Sequence, residues 1–176
     1  MLAKHEFVAA NIESHRAELI ELNVEYLSWV FAEIEKMFGV TADNIVGMTA
    51  AEYVPTVIDK VCGDPPPKGI FYLVKVEGRF AGMGGLRFLR DGVAEIKRIY
   101  VRPDFRGLQL GEHIFSRLLA DARTFGYQHV CLDTGHFMKS AHRLYEAHGF
   151  TDCSAYDGVE VPSEFHTRWR FMERKL

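Results

Sequence analysis

Cysteine is scarce in this chain: Cys62, Cys131 and Cys153 are odd in number, and no two stand in CxxC spacing. That argues against a disulfide framework or a structural zinc site and favours a reducing compartment. Long apolar runs are missing too, and nothing approaches the ~18 apolar residues that a membrane helix needs. Residues 1–20 hold Lys4, His5, Glu6, Glu13 and Arg16 with no apolar stretch, so no secretory signal is expected and the cytoplasm is the default location. Charge of one sign is also lacking, with 21 basic against 24 acidic residues and a net charge of −3. A basic excess of the kind that drives nonspecific nucleic-acid binding is therefore not available. There is no internal repeat or low-complexity tract. Against these absences, 176 residues at 48% hydrophobic content can bury one sizeable core, so residues 1–176 are expected to form a single domain.

Patterning along the chain predicts the elements. Phe7 to Ile12 reads as a first strand, and Ser14 as the N-cap of a long helix whose Ile20, Val24, Leu27, Phe31, Ile34 and Phe38 line one face before Gly39 ends it. A second helical stretch runs from Thr49 or Ala50 to about Val61, with Pro55 an awkward interior residue. Asp64-Pro65-Pro66-Pro67-Lys68-Gly69 breaks the chain into a stiff loop. Ile70–Val76, Phe80–Phe88 and Val93–Val101 then read as strands joined by turns at Glu77-Gly78-Arg79 and Arg90-Asp91-Gly92. Ile114, Phe115, Leu118, Leu119 and Ala122 mark a helix ending at Gly126. A short strand at Val130–Asp133, a helix at Met138–Ala147 and two strands in the tail, the later at Phe165–Met172, complete the order. Helices, an antiparallel meander and a β-α-β-α-β run predict an α+β fold around a single mixed, mainly antiparallel sheet flanked by helices.

The segment Ala94-Glu-Ile-Lys-Arg-Ile-Tyr-Val-Arg-Pro-Asp-Phe-Arg-Gly-Leu-Gln-Leu-Gly111 carries most of the functional information. It reads as a strand, a short Gly-containing loop and the first turn of a helix. A helix start leaves backbone N–H groups without internal partners and concentrates partial positive charge. With Arg106 and Gly107 just before it, this turn is a seat for a phosphate-bearing ligand. A Gly-containing strand-to-helix turn beside an arginine is also a common purely structural feature, so the neighbouring residues matter.

Those neighbours, together with the later Ala141-His-Arg-Leu-Tyr-Glu-Ala-His-Gly-Phe150, resemble the GCN5-related N-acetyltransferase (GNAT) family. The resemblance is best over 71–150 and looser in the flanks. Its loop signature is Gln or Arg, two residues, Gly, one residue, then Gly or Ala. Arg106 and Gly111 match, whereas Gln109 stands where the middle Gly is usual. A Gln there is strained by about 1–2 kcal/mol if the position requires positive φ. The expectation is instead that Gln109 only approaches the phosphate and points its side chain outward.

The resemblance implies acetyl-CoA as co-substrate, no metal, and an amine-bearing acceptor. The pantetheine arm would run along the backbone of Ile99, Tyr100 and Val101. The pyrophosphate would rest on the loop formed by Arg106, Gly107, Leu108, Gln109, Leu110, Gly111 and Glu112. Tyr145 matches the residue that many members place near the sulfur as general acid, although a Tyr on an amphipathic helix is also commonly core. Glu95 matches a strand Glu that serves as general base in some members, and a paired strand residue is its plainer reading. Asp133, Thr134 and His136 are rivals for that role. Members also often carry an Asn three residues before the helix Ala; here that place is Met138.

Three other features carry less. His136, His142 and His148 recur every six residues and cannot share one helix face to hold a metal. Gly82-Met-Gly-Gly85 lies within a predicted strand and is followed by no helix, unlike a dinucleotide loop. Cys131, near the proposed cleft, reads as a core thiol before a covalent nucleophile. The function expected is transfer of an acetyl group to a primary amine of a small molecule or peptide by direct attack in a ternary complex. A non-catalytic acyl-CoA sensor on the same fold is the alternative. No nucleic-acid or membrane partner is expected, a homodimer is compatible with the sequence, and the acidic N-terminal third leans toward a cationic acceptor.

Overall fold

The computed structural model describes residues 4–176. Strands β1 (His5–Ala9), β2 (Ile70–Val76), β3 (Arg79–Arg90), β4 (Val93–Val101), β5 (His129–Gly135), β6 (Thr151–Cys153) and β7 (Trp169–Lys175) form a single sheet in the order β1-β2-β3-β4-β5-β7-β6. Only β4 and β5 run parallel; every other neighbouring pair is antiparallel. The mixed, mainly antiparallel sheet predicted from the sequence is therefore present.

Helices cover both faces. α1 (Arg16–Phe38) and α3 (Ala50–Cys62) pack on one face through Leu19, Leu22, Val54 and Ile58 against Phe71, Leu73, Met83 and Tyr100. On the other face, α4 (Leu110–Thr124) and α5 (Lys139–Ala147) bury Ile114, Phe115, Leu118 and Tyr145 against Val74, Ala81, Leu86 and Ile96. Gly84 is what lets α4 sit this close, because a Cβ there would collide with Ile114 Cγ2.

Several boundaries differ from expectation for identifiable reasons. The first strand is His5–Ala9, and Asn11 ends it: its side-chain oxygen accepts from the amides of Glu13 and Ser14 and folds the chain into a turn. His15, not Ser14, is therefore the N-cap residue of α1. The buried stripe of α1 is Leu19, Leu22, Asn23, Leu27, Val30 and Ile34, rotated from the predicted one, with Ile20, Val24 and Phe31 at its margin. Pro55 stays inside α3 because it and Ala51, whose carbonyl loses its helical donor, are both exposed to water. A short α2 (Ala42–Val46) with a capping box at Thr41 and Asn44 was not expected. Phe165 belongs to a 3-10 turn at Ser163–Arg168, so the last strand starts only at Trp169.

Candidate active site

The site arises where the sheet comes apart. β4 and β5 pair only at Val93, Ala94 and Glu95 against His129, Val130 and Cys131. Beyond Glu95 the strands diverge, and the facing backbone groups of Ile96–Val101 lose their β5 partners. A bulge drives the divergence. Met83 pairs with Tyr100 and Gly85 with Lys97, so Arg98 and Ile99 stand opposite Gly84 alone. Arg98 takes up the extra residue at φ 58°. The bulge breaks strand alternation, and the adjacent side chains of Lys97 and Arg98 both reach the α1 face.

The gap opens into a cavity of about 680 Å³. Of the residues singled out in the sequence, Ile99, Tyr100, Val101, Arg106, Gly111, Glu112 and Tyr145 line it. Gly107, Leu108, Gln109 and Leu110 form the turn at its rim, with Leu110 turned into the core. The first backbone bond of α4 is His113 N–H to the Gln109 carbonyl. Among the described residues, the amides of 107–112 have no backbone acceptor. Gly107 sits at φ 85° with open space around it. Six successive unpaired amides at a helix start, beside the exposed Arg106, suit the pyrophosphate of coenzyme A. The unpaired edge of β4 suits its amide-bearing arm.

Gln109 corrects the sequence reading. Its φ is 58° and its ψ 18°, a left-handed conformation, so this position does require positive φ and the glutamine occupies it under strain. Met138 is the N-cap residue of α5 and its side chain makes no cap bond. An Asn there would close the helix start; Met138 instead lines the cavity and its sulfur accepts from Thr134 Oγ1 at 3.5 Å.

Tyr145 and Glu95 have different surroundings. The Tyr145 ring lies 4.9 Å from that of Phe115 on the α4 side of the gap, and burial pushes its phenol well above the usual range. Glu95 is fully enclosed and does not line the cavity. Its Oε2 accepts from Arg87 Nε at 2.6 Å, its Oε1 from the Tyr156 hydroxyl at 2.9 Å, and Lys97 Nζ stands 3.8 Å away. Burial pushes the Glu95 carboxyl up, against the pull of Lys97 and Arg87. Of its rivals, Asp133 lines the cavity, with Oδ1 accepting from Trp169 Nε1 at 2.9 Å. Thr134 is buried against Met138, and His136 lies outside the lining.

Other features resolve as structural. His142 Nε2 sits 3.0 Å from the Gly135 carbonyl, and His148 lies between the Leu144 carbonyl and Glu112. Cys131 is buried in β5, and burial raises its thiol to about 11.

From the sequence, the tail aromatics Phe165, Trp169 and Phe171 read as core before acceptor-pocket lining, and Trp169 does line the cavity; the rest of the far wall, formed by Tyr26 and Trp29 of α1, Phe137, and Glu160, Val161 and Pro162 of the β6–β7 connection, is not read from it. Trp29 and Phe137 meet edge to face at 5.2 Å, and Phe137 and Trp169 at 5.8 Å. That connection is fastened across β3 and β4. Arg87 Nη2 donates to the Gly158 carbonyl at 2.8 Å, and Glu160 Oε2 lies 3.1 Å from both Lys97 Nζ and Arg98 Nη2. Adjacent cations within a strand and the tail Trp169 are the sequence signals for this wall; the meeting of Trp169 with Trp29 and Phe137 has none.

A mixed sheet split beside an amide-rich helix start is the architecture of the acyl-CoA N-acyltransferase fold. The family model described as the acetyltransferase (GNAT) family matches residues 49–150, and the chain belongs to that family. It is 33% identical over 105 residues to an uncharacterized N-acetyltransferase of Schizosaccharomyces pombe, a match that covers 58% of this chain and 64% of that protein. An acetyltransferase structure from Streptococcus agalactiae superposes with TM-score 0.69 at 22% identity over 98% of each chain. The PaiA N-acetyltransferase of Thermoplasma acidophilum, solved in complex with coenzyme A, superposes with TM-score 0.67 at 17% identity over 98% of this chain and 99% of that one. At these identities the two structures speak for the fold.

Proposed function

We propose that the protein is an acyl-CoA-dependent N-acyltransferase that moves an acetyl group from acetyl-CoA to a primary amine by direct attack in a ternary complex. The observation that carries this reading is the continuity of one cavity. It runs from the unpaired amides at the start of α4, past the open edge of β4 and Tyr145, to a wall that holds Asp133. The co-substrate supplies an activated thioester carbonyl at the gap between β4 and β5.

The chain's own groups meet three demands of such a transfer. The acceptor amine must lose a proton, and Asp133, a carboxylate on the cavity wall, is placed to hold the ammonium or take that proton. The departing thiolate benefits from a proton, and Tyr145, kept protonated by burial, can donate one. Developing negative charge on the carbonyl oxygen needs a donor, and the unpaired N–H groups of β4 beyond the bulge supply it. Glu95 acts as a positioning residue, holding Arg87, Tyr156 and Lys97 in place behind the cavity.

A sensor that only binds acyl-CoA would need neither a buried phenol at the gap nor a second compartment beyond it. The deciding experiment is calorimetric titration of the purified protein with acetyl-CoA, alongside Arg106→Ala and Gly107→Val, followed by thiol release with an acceptor panel. Micromolar binding weakened by both substitutions, with acceptor-dependent thiol release, is the expected result. A folded protein without acetyl-CoA binding overturns the reading.

A further inference from the structure

Beyond the gap, the cavity has a composition of its own. Trp29, Phe137 and Trp169 stand ring against ring, and Val161 and Pro162 close them over. Phe137 is fixed by its neighbour: the ring lies directly over Gly135, where any Cβ would collide with it. The aromatic wall is therefore built in.

Charge is distributed unevenly around this wall. Lys97 and Arg98 share Glu160, and Lys97 and Arg87 share Glu95, so three cations meet two carboxylates in this wall. The two remaining cations among the described lining residues, Arg106 and Lys139, are exposed at the rim. Asp133 is different: one oxygen takes the Trp169 indole N–H, and the other has no donor among the described residues. The acids of the N-terminal third do not add to this, since none of them lines the cavity; Glu21 and Glu25 bind Arg102 and Asp59 binds Arg16. Inside, the pocket thus presents aromatic faces and, at Asp133, a carboxylate with one oxygen open. Aromatic faces and a carboxylate together attract an organic ammonium.

We infer that the acceptor is a primary arylalkylamine, its ring against Trp29, Phe137 and Trp169 and its amine at Asp133. This rests on the N-acyltransferase reading and narrows it to a substrate class.

The test is thiol release from acetyl-CoA with matched acceptors. Tryptamine and phenethylamine carry the ring and amine, and spermidine and aspartate lack the ring. The two arylalkylamines are expected to exceed spermidine and aspartate in kcat/KM by at least about tenfold, the effect of burying an aromatic group. Trp29→Ala should raise the arylalkylamine KM about tenfold or more while the acetyl-CoA Kd holds within about twofold. Trp29→Phe should recover most of the loss, which separates ring recognition from misfolding. Higher kcat/KM for spermidine or aspartate overturns the inference and leaves the N-acyltransferase reading standing. So does acetyl-CoA binding with no release of the coenzyme A thiol when either arylalkylamine is the acceptor. Failure of acetyl-CoA to bind at all overturns both.

Discussion

Arg87 and Glu95 are partners in register across β3 and β4, and the guanidinium Nε meets the carboxylate at 2.6 Å with no part of the Glu95 side chain exposed. An enclosed pair of this kind contributes little relative to an apolar pair, but breaking it strands a charge, at about 3–5 kcal/mol. Lys97 and the Tyr156 hydroxyl would partly shelter Glu95 if Arg87 were lost. Arg87→Met is therefore expected at the lower end, about 3 kcal/mol, or a Tm lower by roughly 6–12 °C. Glu95→Gln should also lower Tm, yet leave kcat within a few-fold. A well-folded Glu95→Gln protein whose kcat falls by about 10²–10⁴ would return Glu95 to the role of general base.

Tyr145 leads to a different measurement. Replacing it with Phe keeps the ring against Phe115 and removes only the hydroxyl. Turnover should fall at least several-fold with little change in acetyl-CoA affinity. The sign of its pKa shift fixes the pH profile. Burial, reinforced by the negative charge of Asp133, raises the phenol above its ordinary value, so the proton stays on through neutral pH and past pH 10. kcat should then show no alkaline fall assignable to Tyr145 below pH 10. An alkaline limb near pH 8 present in the wild type and absent from Tyr145→Phe would contradict that assignment.

Gln109 and Met138 are the two departures from the family pattern, and both are local costs. Gln109→Gly relieves a left-handed residue and should stabilise by about 1 kcal/mol, or roughly 2–4 °C in Tm. Acetyl-CoA affinity should be equal or better, and a clear loss on titration would mean that the Gln side chain itself binds. Met138→Asn gives α5 the cap that it lacks and should add a further ~0.5–2 kcal/mol. The two sites lie on different elements, so the gains should add.

These particulars mark what was legible in the sequence. Strand and helix order follows from apolar spacing and turn residues, which are local, and the phosphate-binding turn follows from Arg106 and Gly107 at a helix start. Backbone sign at Gln109 and Arg98 is not local: both residue types normally avoid positive φ, and only the packed sheet and α4 hold them there. Because the Arg98 bulge reverses alternation, a reading that counts every second residue places Lys97 and Arg98 on opposite faces. Glu95 was legible as a strand carboxylate, but its enclosure depends on Tyr156, contributed by a segment with no regular structure. The aromatic wall joins Trp29 with Phe137 and Trp169, residues far apart in the chain whose meeting no periodicity announces.

Glu160 closes that wall, and its charge ties stability to acid. Burial would raise its carboxyl, but Lys97 and Arg98 outweigh that and bring it down to about 2. An ordinary Glu in the unfolded chain titrates near ~4.3. A folded value below the unfolded one means that the stabilisation is complete above about pH 4.3 and is lost as pH falls toward 2. Since 34% of the side chain is exposed, solvent screening limits the contribution at neutral pH to about 1–2 kcal/mol. Glu160→Gln should therefore be less stable than wild type by about that amount at pH 7, and the gap should close between pH 4.3 and 2 as the wild-type carboxylate takes up its proton. Denaturant melts of both proteins across that range make the comparison. A gap that stays constant with pH would mean that Glu160 holds the β6–β7 connection by shape, without its charge.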